Sequence, residues 1–259
     1  MARPQSSLPP VGLGTMGIDD PGVIETALEY GYRHLDTAQV YGNEAVVGDG
    51  LAQSSVPRED VTVATKVWAD SLAPDDVHRT TEESLDRLGL EFVDLLYVHR
   101  PIETYDPEAT LPAFEELQAA GTIDGIGVSN FSCDELETAQ SVLDTPIAAH
   151  QIEYHPLFQP EELLAHAREY DYPFVAYSPL ANGRAREIDE VVDVAESHDA
   201  TPEAVCLAWL LAKDGVVTIP KSSSADHLRA NLEAQELELS PAECERIDAI
   251  DRTEELFPE

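Results

Sequence analysis

One stretch of this 259-residue sequence decides the fold: Gly31-Tyr-Arg-His-Leu-Asp-Thr-Ala-Gln-Val-Tyr-Gly-Asn-Glu44. A strand-like run within it ends on Asp36, and Tyr41 follows shortly afterwards. Two later strand-like runs also end on residues that can carry a proton, Lys66 and His99. The carboxyl ends of the strands of a parallel barrel converge on one face, where catalytic side chains collect. We therefore predict that these four residues form one acid-base site.

The rest of the sequence alternates between strand-like and helix-like segments. This alternation is typical of a parallel sheet covered by helices, and ~250 residues is a common length for a (β/α)8 barrel. We predict one α/β domain over residues 1–259, a (β/α)8 TIM barrel. The eight predicted strands are 11–14, 34–36, 61–66, 93–99, 123–129, 148–153, 174–177 and 216–219. Helices are predicted over 21–30, 43–52, 74–88, 110–120, 132–143, 160–170, 188–213 with a break near Thr201, 225–233, and 240 to about 251, with capping boxes at Ser132 and Ser240.

The four polar residues can together protonate an oxyanion. An ordinary tyrosine has a pKa of about 10, too high for easy proton donation near neutral pH unless a cation stabilises the phenolate. Lys66 supplies such a cation, Asp36 keeps it charged and oriented, and His99 can hydrogen-bond to a substrate oxygen beside Tyr41. A structural role stays open for each residue taken alone; Asp36, for example, could pair with Arg33.

The chain is strongly acidic, with 51 acidic against 15 basic residues and a formal net charge of -36. Such a field repels nucleic acid and anionic membranes, so we expect neither as a partner. The acids are spread along the helices, and a hydrophobic content of 43% argues against disorder. The pattern is typical of a salt-adapted, halophilic protein. Because no run of ~18 apolar residues and no signal peptide stand out, we expect a cytoplasmic protein. We also expect a monomer.

Cysteine and histidine spacing predicts no metal site. Cys133, Cys206 and Cys244 are odd in number, form no CxxC pair and fall in helix-like segments, where small buried side chains are expected. His150 and His155 are five positions apart, so in a strand they face opposite sides and do not share a metal. The chain also has no nucleophile elbow of the G-x-S-x-G kind and no second carboxylate placed as glycosidases need, which disfavours a hydrolase.

Six motifs point to one enzyme family, and the resemblance covers roughly Val11 to Leu239. They are Gly31-Tyr-Arg-His-Leu-Asp-Thr-Ala38 followed by Tyr41, Glu44 and Gly48; Thr65-Lys-Val-Trp68; Ile126-Gly-Val-Ser-Asn-Phe131; Gln151-Ile-Glu-Tyr-His-Pro156; Tyr177-Ser-Pro-Leu180; and Ile219-Pro-Lys-Ser222. In these motifs the sequence resembles the aldo-keto reductases, in their short prokaryotic form. The resemblance implies NAD(P)H-dependent reduction of small aldehydes and ketones to alcohols by hydride transfer.

The resemblance also implies a role for each matching residue. Tyr41 would be the general acid, Asp36 and Lys66 would lower its pKa, and His99 would orient the carbonyl. The nicotinamide carboxamide would be held by Ser129, Asn130 and Gln151, with Tyr177 stacked on the ring. The pyrophosphate and adenosine ribose would lie against Ser178, Leu180, Lys221, Ser222 and Asn231, and Ser223 would add a hydroxyl for a phosphate. The substrate pocket would be lined by Met16, Trp68 and Arg100.

Two departures from the family pattern bear on the ligands. Where an arginine commonly grips the 2′-phosphate of NADP, this chain has His227. Lys221 and the two serines after it still offer a cation and two hydroxyls, so NADP is the expected cofactor and NAD stays open. After the catalytic histidine, Arg100 replaces the usual tryptophan. It either brings a cation to the pocket mouth, which favours anionic carbonyl substrates, or points to the surface and pairs with Glu103.

A function without chemistry also stays open at this point. A barrel of this family can bind the cofactor and act as a regulatory or sensing module with little turnover. The complete set of Asp36, Tyr41, Lys66 and His99 weighs against that alternative.

Overall fold

Eight parallel strands form the barrel, and each pairs with its neighbours in the sequence. The computed structural model describes residues 8–258, so residues 1–7 and 259 of the predicted domain lie outside the described residues. The sheet runs in the order β1 to β8. It closes where the Gly12 amide donates to the Thr218 carbonyl (2.8 Å) and the Thr218 amide donates to the Pro10 carbonyl (2.9 Å). The predicted (β/α)8 barrel is confirmed. Its strands are β1 (Leu13–Gly14), β2 (His34–Asp36), β3 (Thr62–Val67), β4 (Val93–Val98), β5 (Ile123–Ser129), β6 (Ala149–Glu153), β7 (Phe174–Tyr177) and β8 (Val216–Thr218).

Helices cover the outside of the barrel, and their ends follow local capping. The predicted start of the fourth helix at residue 110 is wrong: it begins at Pro107, because the Asp106 side chain caps the Glu108 amide (3.1 Å) and proline suits the first helical position. Both predicted capping boxes are confirmed, although the last helix ends before residue 251. Within residues 8–258 the helices are α1 (Pro21–Tyr30), α2 (Glu44–Gln53), α3 (Pro74–Leu88), α4 (Pro107–Ala120), α5 (Cys133–Val142), α6 (Glu161–Glu169), α7 (Asp189–His198), α8 (Pro202–Leu211), α9 (Ala225–Glu233) and α10 (Pro241–Asp248).

The two-residue alternation of the strands separates the barrel interior from the layer beneath the helices. Val63 on β3 packs with the core under the helices, whereas Ala64 belongs to a separate apolar cluster inside the barrel. Lys66, two residues beyond Ala64, continues the interior face at the carboxyl end. Apolar side chains therefore fill the barrel up to the point where the polar residues begin. The interior cluster is Ala64, Leu95, Tyr97, Ala149, Val175, Val217 and Ile219.

The three cysteines are unpaired and lie in helices, as predicted. Only Cys206 is buried; the expectation of burial is wrong for Cys133 and Cys244, which are half-buried. Between residues 8 and 258 no helix is both long enough and apolar enough to cross a membrane.

Candidate active site

A buried ion pair joins the ends of β2 and β3. Nζ of Lys66 lies 2.5 Å from Oδ1 of Asp36, and both side chains are almost inaccessible to solvent. Burial lowers the pKa of Lys66, but the charges of Asp36 and Tyr41 and their hydrogen bonds raise it, and the net direction is upward. The ammonium group is therefore charged. The alternative pairing of Asp36 with Arg33 is wrong, because the Arg33 guanidinium donates to backbone carbonyls instead.

The loop after β2 holds Tyr41 beside this ion pair. Tyr41 ends a single turn of 3-10 helix, and Nζ of Lys66 lies 5.4 Å from the centre of its ring. Asn43 fixes the loop: its Nδ2 donates to two backbone carbonyls after β1 (2.7 and 2.9 Å), and its Oδ1 accepts from the Thr37 hydroxyl (3.2 Å). The Thr37 carbonyl in turn accepts from Nζ of Lys66 (2.8 Å). The same short loop thus supplies the phenol and a ligand for the ammonium group.

Tyr41 keeps its proton at neutral pH. Burial raises the pKa of its phenol, the charge of Lys66 lowers it, Asp36 raises it, and a hydrogen bond to Lys66 and the charge of Arg100 lower it. The net pKa lies above the ordinary value of 10.0. The expected lowering of this pKa by Lys66 is confirmed, whereas the expected lowering by Asp36 is wrong, because the Asp36 charge acts in the opposite direction. Burial outweighs the lysine and sets the net direction. Lys66 limits the rise and leaves Tyr41 as a neutral acid.

His99 stands beside Tyr41 as a neutral ring. Its imidazole meets the rings of Tyr41 and Trp68 edge to face, with centroids 5.9 and 5.0 Å apart. Burial, followed by the charges of Lys66 and Arg100, lowers the pKa of His99 to about 2. A neutral imidazole carries one N–H group, so it can donate one hydrogen bond to an oxygen placed between it and the Tyr41 hydroxyl.

The predicted nicotinamide contacts form a hydrogen-bonded network at the ends of β5, β6 and β7. Asn130 donates through Nδ2 to the Ser129 hydroxyl (3.0 Å) and to the His99 carbonyl (2.9 Å), and its Oδ1 accepts from the Tyr177 hydroxyl (2.9 Å). Gln151 donates through Nε2 to Oδ2 of Asp36 (2.7 Å). The structure therefore brings Ser129, Asn130, Gln151 and Tyr177 together with the acid-base residues.

The backbone is strained where these strands end. Asn130 after β5 and Ser178 after β7 have φ angles of 60° and 51°, in the left-handed region that residues with side chains seldom occupy. Such conformations persist where the surroundings over-determine them, and they cluster at ligand sites. Leu180, which follows Ser178, is half-buried against the outer core. Both turns direct the chain over the carboxyl end of the barrel.

The residues predicted for the adenosine side fit the phosphates of a dinucleotide. Lys221 is exposed, while Ser222 is 7% exposed and its hydroxyl accepts from the Ser224 amide (3.1 Å). Helix α9 begins directly afterwards, and backbone N–H groups at a helix N-terminus favour phosphate. Ser223 is exposed and Asn231 is buried at 5% in the same region.

The arginine near position 227 is not free to replace the missing phosphate ligand. The Arg229 guanidinium lies over the Tyr30 ring, 4.7 Å from its centre, on the side of α9 that meets α1. His227 is exposed on the first turns of α9. Lys221, which is exposed and lies four residues before the start of α9, thus offers a cation on the side of the helix N-terminus.

Arg100 has neither a surface position nor an ion pair with Glu103, so that alternative is wrong. Its Nη2 donates to the Phe257 carbonyl (3.0 Å), and its half-buried side chain lines a cavity of about 340 Å³ together with Asn130, Tyr177 and Phe257. Of the other predicted pocket residues, Trp68 lies against His99, whereas Met16 is 53% exposed in the loop after β1.

Two buried acids that sequence analysis gave no role also support the site. Glu44, in the first turn of α2, accepts from the Thr65 hydroxyl (2.5 Å) and from Arg87 (2.6 and 2.8 Å), which ties α2 and α3 to β3 one residue before Lys66. Glu153 ends β6 and accepts two backbone amides from residues near 256. The position of each acid inside a matching motif was the available signal, but the sequence does not reveal their partners.

A larger cavity, about 580 Å³, opens at the amino end of the barrel. Its walls include Thr62, Phe174 and Val216, the first residues of β3, β7 and β8, and none of the four acid-base residues. We place the active site at the carboxyl end of the barrel, because the charged pair, the tyrosine and the neutral histidine lie at the strand ends there. The smaller cavity adjoins these residues through Asn130, which lines it and bonds to the His99 carbonyl.

The paired histidines lie apart. His150 packs edge to face against Phe174 with centroids 5.8 Å apart, whereas Nε2 of His155 bonds to Glu153 (2.8 Å). Over residues 8–258, no group of three or more His, Cys, Asp or Glu side chains is arranged to hold a metal ion.

Comparison with known proteins adds an independent observation. The model of the Aldo/keto reductase family matches residues 10–252. The chain is 36% identical over 256 residues to methylglyoxal reductase DkgB of Escherichia coli O157:H7, with 96% of each chain covered. Among solved structures it resembles MGS-M4, an aldo-keto reductase from a Medee basin deep-sea metagenome library (TM-score 0.93, 30% identity, 98% and 95% covered). It also resembles the aldose reductase of Schistosoma japonicum (TM-score 0.92, 29% identity, 97% and 91% covered).

Proposed function

The chain belongs to the aldo/keto reductase family and is an NAD(P)H-dependent oxidoreductase that reduces carbonyl groups, and we propose that Tyr41 is the acid that protonates its substrate. One observation carries this proposal: the Tyr41 ring lies close to both the charged Lys66, whose Nζ is 5.4 Å from the ring centre, and the neutral His99, whose ring centroid is 5.9 Å away. A carbonyl oxygen placed there meets two donors.

Each residue of the site then has one task. When bound, the reduced nicotinamide supplies a hydride to the carbonyl carbon. The His99 N–H donates to the carbonyl oxygen and orients it, and the Tyr41 hydroxyl transfers its proton to that oxygen as negative charge develops. Lys66 stabilises the phenolate that remains, and Asp36 keeps the ammonium group charged and in place. Ser129, Asn130, Gln151 and Tyr177 hold the nicotinamide in position.

The test measures oxidation of NADPH in the presence of carbonyl substrates, with Tyr41→Phe as the diagnostic variant. We expect loss of the hydroxyl to lower kcat by about 10²-fold to 10⁴-fold, the usual contribution of a general acid. Tyr170→Phe is the matched control, because Tyr170 is 49% exposed and stacks on His166. Full activity in Tyr41→Phe would reject the proposed acid. Tight cofactor binding by the wild-type protein without turnover of any carbonyl would instead favour a sensing barrel.

We propose NADP as the preferred cofactor, held by Lys221, Ser222, Ser223 and Asn231, with Ser178 and Leu180 along the pyrophosphate. The exposed Lys221 ammonium beside the N-terminus of α9 supports this preference. Lys221→Ala should raise the KM for NADPH more than that for NADH. Lys213→Ala is the control, since Lys213 pairs with Asp248 (2.7 Å). An equal change in both KM values would remove the support for NADP.

Small aldehydes and ketones are the proposed substrates, and the name of the E. coli relative adds methylglyoxal to the panel. The half-buried Arg100 on the carboxyl-end cavity supports a preference for carbonyl compounds that carry a carboxylate. Trp68 and Met16 would complete the pocket. The test compares 4-carboxybenzaldehyde with its neutral carboxamide in the wild type and in Arg100→Trp. An unchanged ratio of the two kcat/KM values would reject the preference.

We propose a single-domain, monomeric, cytoplasmic enzyme adapted to high salt. The uniform spread of 51 acidic residues supports the salt adaptation, and three unpaired cysteines agree with a reducing compartment.

A further inference from the structure

We propose that Glu153 is a positioning residue that holds the terminal segment, residues 251–258, against Tyr177 and so fixes the nicotinamide side of the active site. The inference rests on the proposed function, because Tyr177 contacts the cofactor only under that proposal. It gives a role to the last residue of β6, which lies two positions beyond Gln151 and which the acid-base chemistry does not use.

Glu153 is a buried carboxylate whose donors come mainly from the terminal segment. Its side chain is 2% exposed, and Oε1 accepts from the Leu256 amide (2.7 Å) while Oε2 accepts from the Phe257 amide (3.0 Å). Nε2 of His155 is the third donor (2.8 Å). Because Nδ1 of His155 accepts from the Leu157 amide (3.2 Å), the ring carries a proton on Nε2. A buried carboxylate that lost these amides would be strongly destabilised, so the segment stays attached.

Three further contacts fix the register of the terminal segment. The Glu254 amide donates to the Leu157 carbonyl (2.7 Å), and the Glu254 carboxylate pairs with Arg184 (2.5 Å). The Arg100 guanidinium donates to the Phe257 carbonyl (3.0 Å). The amide of Phe257 is thus held by Glu153 and its carbonyl by Arg100, which fixes the backbone from which its side chain projects.

The Phe257 side chain contacts Tyr177. The Phe257 and Tyr177 rings meet edge to face, with centroids 5.9 Å apart and planes at 77°. The Tyr177 hydroxyl donates to Asn130 (2.9 Å), so Phe257 and Asn130 restrain the tyrosine from its ring and from its hydroxyl. A shift of the hydride donor by about 1 Å can cost about 10²-fold in rate. Glu153, which lines the same cavity as Phe257 and Tyr177, therefore acts on the reaction through the position of these two rings.

The test separates the nicotinamide end of the cofactor from its adenosine end. Affinities for NADPH and for 2′-phospho-ADP-ribose, which lacks the nicotinamide, are measured by fluorescence titration for Glu153→Gln, Phe257→Ala and the double variant. We expect each single variant to bind NADPH about tenfold more weakly, and the double variant to be no weaker than either, because the two residues act through one contact. Affinity for 2′-phospho-ADP-ribose should stay unchanged. Asp251→Asn, an exposed acid of the same segment, is the matched control.

Three outcomes would overturn the inference: additive losses in the double variant, equal losses for both ligands, or unchanged NADPH affinity in Phe257→Ala. If Glu153→Gln fails to fold, Phe257→Ala decides by itself. That substitution removes a half-buried ring but keeps the backbone amide that donates to Glu153. These results are distinct from failure of the proposed function, which would appear as absent carbonyl reduction in the wild-type protein.

Discussion

Strands β2 and β6 carry polar residues at both ends. The residues at the carboxyl end have hydrogen-bond partners that the histidines at the amino end lack. At the carboxyl end, Asp36 accepts hydrogen bonds from Lys66 and from Gln151. At the amino end, His34 and His150 are fully buried, and neither ring nitrogen of either residue has a hydrogen-bond partner among residues 8–258. Burial lowers the pKa of His34 to about 4 and that of His150 to about 3, so both rings are neutral near pH 7.

The comparison shows that burial by itself does not make a functional residue. The carboxyl end keeps its charges because partners from other strands compensate for lost hydration. His34 and His150 have no such partners among the described residues, so both behave as flat packing groups, with His150 edge to face against Phe174. The proposed acid-base residues of this barrel therefore lie at its carboxyl end, and four experiments test this difference between the two ends.

The largest effect is expected from the two ends of β2. Asp36→Asn should lower kcat/KM by on the order of 10²-fold and reduce the free energy of unfolding by about 3–5 kcal/mol, because it leaves the Lys66 charge buried without its counter-ion. His34→Leu, two residues away on the same strand, should keep near-wild-type turnover. Steady-state kinetics and urea unfolding measure both. Equal losses of turnover in the two variants would contradict the difference between the two ends.

The pH dependence of reduction tests the protonation states at the carboxyl end. The pKa of His99 is lowered to about 2 and that of Tyr41 lies above 10.0, so His99 stays neutral and Tyr41 stays protonated between these limits. We expect kcat/KM for reduction to be flat from about pH 6 to about pH 9 and to fall only in strong alkali. A step near the ordinary histidine value of about 6.5 would contradict a neutral His99.

Acid stability tests the amino end. The folded pKa of His150, about 3, lies below its unfolded value of 6.5, so the unfolded chain binds the extra proton first. The contribution of neutral His150 to the free energy of unfolding is fully present above about pH 6.5. It decreases as the pH falls from there towards the folded pKa. The His150→Leu variant should lose less stability than the wild type between pH 7 and pH 5, as measured by urea midpoints. The carboxylates titrate alike in both proteins, so an identical decrease would show that His150 is accessible to protons.

Salt should have the smallest effect, and it should act on the surface rather than on either end of the barrel. Molar KCl screens the net charge of -36 but reaches the buried Asp36–Lys66 pair poorly. We expect Tm to rise by about 5 °C, while the pH profile of reduction keeps its shape. A Tm that does not rise with KCl would refute the proposed salt adaptation.

Much of the fold and the location of the site could be predicted from the sequence. The strand bounds agree within one or two residues, because alternating apolar segments and turns are local signals. Asp36, Lys66 and His99 could be assigned to one face, since each lies within one residue of the carboxyl end of a parallel strand. The predicted start of α4 is three residues late, because the Asp106 cap and the proline at the first helical position extend the helix beyond its apolar pattern.

Other features of the site depend on residues that are far apart in the sequence. Arg100 bonds to Phe257, 157 positions away, and Glu153 bonds to residues 103 and 104 positions away. No local pattern marks such pairs. The direction of the Tyr41 pKa also escaped prediction, because it depends on how burial compares with the charges of Lys66 and Asp36.

Short segments of the sequence specify the barrel, the order of its strands and the face on which its proton-carrying residues meet, because strand periodicity and the parallel βα repeat are local patterns. The folded structure sets which of those residues are charged. It also sets which acid anchors the terminal segment and which ring rests on Tyr177. Protonation and orientation depend on burial and on partners supplied by other strands and by the terminal segment, and those are set when the whole chain packs.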